Sequence, residues 1–67
     1  MIGKRIKELR TEMKISQQKL ADLINESQSA IARWEMGKTE PTASAIIKLA
    51  DVFGVCADYL LGRQDWY

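Results

Sequence analysis

Four helix-ending residues, Asn25, Gly37, Gly54 and Gly62, cut this 67-residue chain into short pieces, and the pieces carry their apolar side chains at helical spacing. Asparagine and glycine tolerate the left-handed backbone that stops a helix. Ile2, Ile6, Leu9 and Met13 stand at i, i+4, i+7 and i+11, within about 60° of one another at about 100° per residue. That stripe predicts a first helix, with Lys4, Arg5, Lys7, Glu8 and Glu12 over its wet sides. Ser16 can cap a second helix carrying Leu20, Ala21, Leu23 and Ile24. It lacks a capping box, because Lys19 stands where a Glu or Gln would reach back. Ser27 is the next N-cap candidate and opens a third helix from Gln28 to about Glu35. Pro41 and Thr42 introduce a fourth, with Ile46, Leu49, Ala50 and Phe53 on one stripe. A short fifth covers about 57–61. No alternating apolar/polar run supports a strand. The expectation is one all-α domain of five short helices over residues 1–67, with 63–67 a short tail.

Apolar residues make up 46% of the chain and a single proline is present, which fits a packed helical domain rather than disorder. The one cysteine, Cys56, cannot close an internal disulfide, and it reads as a small buried or capping residue or else as a reactive thiol. With no histidine and one cysteine, zinc sites and histidine-based catalysis are excluded. No carboxylate or lysine sits in a motif with a catalytic mechanism, so the chain is expected to be no enzyme and to need no cofactor or metal. The basic start leads into an amphipathic pattern rather than a signal peptide, and no apolar stretch approaches the roughly 20 residues of a membrane span. A cytoplasmic protein without membrane contact is expected. The net charge of +1 divides unevenly: residues 1–38 hold eight Lys/Arg against five Asp/Glu (+3), and residues 39–67 two against four (−2). That asymmetry suits a polyanion facing the first half, or chance scatter over a solvated surface.

On a wheel with Gln28 at 0°, Ala32, Ser29 and Arg33 fall at roughly 40°, 100° and 140°, whereas Ala30, Trp34 and Ile31 fall at roughly 200°, 240° and 300°. The anchors therefore face the domain, and Gln28, Ser29, Ala32 and Arg33 share an outer arc. A narrow arc with hydrogen-bonding groups suits a DNA major groove, where Gln pairs bidentately with adenine and Arg with guanine. An ordinary solvated face would look the same on this helix alone. What distinguishes the two is the neighbouring spacing: a helix, a short turn containing Asn25, and a second helix capped at Ser27 make a helix-turn-helix.

The stretch SQQKLADLINESQSAIARWEMGKTEP resembles the helix-turn-helix of the phage lambda repressor/Cro-like family, the XRE-type transcriptional regulators. The likeness extends over about residues 3–62, through KLADVFGVCADYLLG. The resemblance implies a five-helix DNA-binding domain whose third helix reads the major groove. By position, Gln28, Ser29 and Arg33 would face base edges, with Ser27 at the lip of the groove. Gln17 would contact phosphate and could brace Gln28, while Ser16, Lys38, Thr39 and the backbone amide near Gly37 would hold phosphates. Arg10 and Glu35 stand where some members pair ions, a lock between the first and third helices, with direct phosphate contact by Arg10 the other reading. Trp34 reads as a core anchor rather than a base-stacking residue. Three residues depart from the family's pattern. Ala30 and Ala32 stand where Ser or Thr is frequent, giving fewer polar base contacts. Glu40 replaces basic residues that reach the DNA backbone in some relatives, and Cys56 replaces a capping Ser or Thr.

The family's dimer contact often involves the fifth helix and the residues after it, here Val55, Tyr59, Leu60, Trp66 and Tyr67. The expected partners are therefore an operator in double-stranded DNA, an inverted repeat, and a second copy of the chain; Trp66 could instead fold back over the core. The expected role is that of a repressor, nucleoid-associated through its DNA and regulated through abundance, proteolysis or a protein antagonist. The alternative is a protein-interaction module, an antitoxin or adaptor, with DNA binding secondary.

Overall fold

Three of the helices begin at a side-chain cap, and two of those three end at a left-handed residue. In the computed structural model, which describes residues 2–63 and Asp65, five helices follow in order: α1 (Ile2–Glu12), α2 (Gln17–Ile24), α3 (Gln28–Glu35), α4 (Ala43–Phe53) and α5 (Ala57–Leu60). Ser16, Ser27 and Thr42 are N-caps, their hydroxyl oxygens accepting from the amides of Lys19, Ala30 and Ala45 at 3.0, 3.1 and 3.2 Å. Cys56 occupies the same position before α5 and makes no side-chain cap bond. Asn25, with φ 60°, closes α2 by donating its amide to Ala21 and Asp22, and Gly54 does the same for α4.

The core is assembled from all five helices: Ile6 and Leu9, Leu20, Ala21 and Ile24, Ala30, Ile31 and Trp34, Ala45, Leu49 and Ala50, and Leu60. α3 sits at its centre, packed on both α1 and α2. The crossing with α1 is set by Gly3, where a Cβ would stand 2.0 Å from the Trp34 carbonyl oxygen. Only glycine lets the two backbones approach that closely. α4 leans on α2, and Lys48 Nζ donates to the Ile24 carbonyl at 3.5 Å, placing a cation at the C-terminal end of α2. α5 closes the far side against α1 and α4, with the Arg5 guanidinium 4.1 Å above the Tyr59 ring.

Several expected positions shift. Met13 is 45% exposed: α1 stops at Glu12 and the chain reverses through Lys14 at φ 60°, so Met13 stands at the frayed end of the stripe. Leu23 is 47% exposed, since it lies at the edge of an arc centred on Ile24 and flanked by Leu20 and Ala21. α5 ends at Leu60, and Leu61 is its C-cap. Leu60, expected at a dimer contact, is 0% exposed: it fills the core and has no surface to offer a partner. Among the described residues no helix is long and apolar enough to cross a membrane, and no group of His, Cys, Asp or Glu could hold a metal.

Candidate nucleic-acid interface

α3 divides cleanly into two arcs. Ala30, Ile31 and Trp34 are buried, while Gln28, Ser29 and Arg33 are exposed and Ala32 is half-buried between them. Ala30 on the inner arc cannot face a groove at all. An alanine there therefore removes no base contact, and only Ala32 narrows the polar set.

The helix is held by an ion pair behind it. Arg10 of α1 donates from Nε to Glu35 Oε2 at 2.7 Å and from Nη2 to Oε1 at 3.0 Å, a bidentate fork. Its Nη1 donates to the Ile15 carbonyl at 2.9 Å, so the same guanidinium ties down the loop before α2. The Glu35 side chain is 4% exposed and that of Arg10 15%. Burial pushes the Glu35 carboxyl up, but hydrogen bonds from Arg10 and Gln17 and the charges of Arg10 and Lys7 outweigh it, leaving it below the usual range. The hydrogen bond to Glu35 raises the Arg10 guanidinium, against some desolvation.

From Glu35 the contacts run outward. Gln17 Nε2 donates to Glu35 Oε1 at 3.1 Å, and Gln28 Nε2 donates to Gln17 Oε1 at 2.6 Å. The structure thus brings Arg10, Glu35, Gln17 and Gln28 into one chain that starts between α1 and α3 and surfaces on the outer arc. Ser29 and Arg33 share that arc without joining the chain.

The flanks are less uniform. Ser16 and Ser27 are caps whose oxygens already accept an amide, leaving the hydroxyl proton to donate. Lys38 and Thr39 are exposed just beyond α3. The amide expected near Gly37 is otherwise engaged: Gly37, at φ 76°, donates its N–H to the Trp34 carbonyl at 3.1 Å and Lys38 donates to Arg33 at 2.9 Å. Those amides terminate α3 and are already hydrogen-bonded, whereas the side chains of Lys38 and Thr39 stand exposed beside them. Val55 and Tyr59 are half-buried, Tyr59 beneath Arg5. Trp66 and Tyr67 lie outside the described residues. Sequence reasoning missed Gly3, whose signal is a glycine on the buried stripe of an amphipathic helix.

The helix-turn-helix family model HTH_3 matches residues 6–60. The chain belongs to this helix-turn-helix family. Among its relatives, the SPbeta prophage-derived uncharacterized HTH-type transcriptional regulator YonR of Bacillus subtilis (strain 168) is 38% identical over 61 residues, which are 91% of this chain and 56% of that protein. Repressor protein C2 of Salmonella phage P22 is 34% identical over 61 residues, 91% of this chain and 28% of the repressor. The chain spans about half the length, or less, of these curated relatives. Among solved structures, the P22 c2 repressor in complex with synthetic operator 9T superposes with a TM-score of 0.90 at 33% identity, covering 96% of this chain and 97% of that one. The restriction-modification controller protein C.AhdI from Aeromonas hydrophila gives 0.81 at 32% identity, over 88% of this chain and 89% of that one. The all-α fold is thus that of the phage-repressor helix-turn-helix domains.

Proposed function

We propose that this helix-turn-helix chain is a transcriptional regulator, a repressor, that binds double-stranded DNA sequence-specifically as a homodimer and reads the major groove with α3. The observation that carries the reading is the outer arc of α3: Gln28, Ser29 and Arg33 face outward on a helix whose other face is fixed in the core. The P22 c2 repressor, of nearly the same shape, was crystallised on an operator. Gln28 matches the edge of adenine and Arg33 that of guanine, with Ser29 and Ser27 adding donors at the margin. Ser16 and Gln17 at the start of α2, and Lys38 and Thr39 after α3, hold phosphates; those contacts set register and supply salt-dependent affinity. No catalytic step belongs to this function.

Size argues for two copies. The described residues extend over 27 × 23 × 19 Å, shorter in every direction than the ~34 Å between successive major-groove faces. One copy therefore reads a single half-site. Val55 and Tyr59, on the acidic C-terminal half, are the described residues we assign to the contact between copies. A sedimentation experiment that finds only monomer at high micromolar concentration, with and without DNA, would remove the dimer.

The deciding experiment is selection of bound duplexes from a random pool at near-physiological salt. Enrichment of an inverted repeat with half-site centres about one turn apart is expected. An unenriched pool from folded protein overturns the reading in favour of a protein partner. On the enriched site, Gln28→Ala and Arg33→Ala should each cost ~1–3 kcal/mol and relax preference at one position. Titrations against singly substituted operators test this, and unchanged preference in both variants would reject the assignment of α3.

A further inference from the structure

The outer arc of α3 does not end with Arg33. Met36, eight residues after Gln28, falls at roughly 80° on the same wheel, between Ala32 and Ser29. It is the C-cap of α3, yet its backbone is still helical, with φ −84° and ψ −6°. Its amide donates to the Ala32 carbonyl at 3.0 Å, so the helical register holds through residue 36. Helical side chains lean toward the N-terminal turn, and a thioether at 36 therefore extends over Ala32. Met36 takes no part in the core. At 62% exposure it is the most exposed of five large apolar side chains on the described surface, and the one borne by α3.

We infer that Met36 is a specificity-determining residue that, with Ala32, recognises the 5-methyl group of a pyrimidine in the major groove. The inference rests on the DNA-reading role proposed for α3. Base edges in that groove present acceptors, amino donors and one kind of apolar group, the C5-methyl of thymine. A thioether has no proton to donate and accepts only weakly, so it matches neither N7 and O6 nor an amino group. It offers instead a polarisable apolar body with three rotatable bonds, which settles against an irregular apolar neighbour. Against a methyl, both surfaces leave water together. Against an amino group or a carbonyl oxygen, Met36 would displace water and return no hydrogen bond. The half-buried Ala32 adds its own methyl beside the thioether, so the arc carries an apolar strip between the polar ends of Ser29 and Arg33. 5-Methylcytosine bears the same methyl at the same ring position. The strip therefore selects the methyl, whichever pyrimidine carries it.

The test uses the full chain and the enriched operator. Each thymine of the half-site is replaced singly by deoxyuridine, which removes one methyl and leaves the hydrogen-bonding edge as it was. At one thymine the wild-type chain should lose about three- to five-fold in affinity, the scale of one buried methyl group. Cytosine placed there should bind more tightly when 5-methylated, by a similar factor. Met36→Ala truncates an exposed side chain and spares the core; it should bring both ratios below about two-fold. Met36→Leu, which restores an apolar body, should keep most of each. Thymine-to-deoxyuridine ratios that are the same in Met36→Ala as in the wild type overturn the inference. So does equal weakening of methylated and unmethylated duplexes, which would make residue 36 a contact to sugar or backbone. A methyl effect confined to thymine and absent with cytosine would mean that the base, not its methyl, is being read, and the inference fails. If the wild type enriches no site at all, the groove-reading role of α3 falls first and this inference with it.

Discussion

Gly3 and Glu35 fix α3 from opposite chemical directions, one by having no side chain and the other by a charge. A methyl at position 3 would collide with the Trp34 carbonyl oxygen, which is backbone and cannot turn aside. Gly3→Ala should therefore destabilise the fold by about 1–3 kcal/mol, read as a lower midpoint in urea, although alanine is intrinsically the better helix former. Glu35 is ionised in the fold with its affinity for a proton lowered. A carboxyl whose folded pKa lies below its unfolded one contributes stability above the unfolded value, near pH 4.3, and that contribution disappears as the pH falls through the folded value. Glu35→Ala should cost about 1.5–3 kcal/mol at pH 7 and progressively less on acidification, which paired denaturation curves at pH 7 and pH 3 would measure. An equal loss at both would mean that packing, not charge, is what the residue provides. Neither the close approach of α3 at Gly3 nor the backbone of Lys14 was legible in the sequence. The first depends on a helix far along the chain, and the second is a lysine in a conformation that composition assigns to Gly or Asn.

Among the elements, the two helices of the motif were the plainest, since Ser16, Ser27 and Asn25 write their ends in local chemistry. α4 was almost as clear, from Thr42 and Gly54. α5 was not: with four residues and a cysteine at its cap, it has no periodicity to separate an inner from an outer face. That is why Leu60 reads as surface in the sequence and lies in the core. Leu60→Ala should cost about 2–5 kcal/mol through the cavity it leaves. Thermal unfolding at several protein concentrations checks the correction: the loss should be the same at each, whereas a dimer-contact residue would give a loss that shrinks on dilution.

Across the whole molecule, residues 1–38, which carry the helix-turn-helix, hold a net +3 and residues 39–67 a net −2. Binding should weaken as salt rises, with log K falling in proportion to the phosphates neutralised. Lys38→Ala should weaken all duplexes alike and reduce that slope by about 1, measured by titration between about 50 and 200 mM salt; selective loss on one operator would instead make Lys38 a base reader. The outer arc of α3 also bears on how such a protein diverges. Ser29 and Arg33 touch nothing that the core needs, so new side chains there can explore new targets at little thermodynamic risk. Position 28 is not so independent, because replacing Gln28 strands an amide oriented by Glu35. Descendants of this chain that acquire another residue at 28 should acquire a change at 17 with it, while 29 and 33 drift singly.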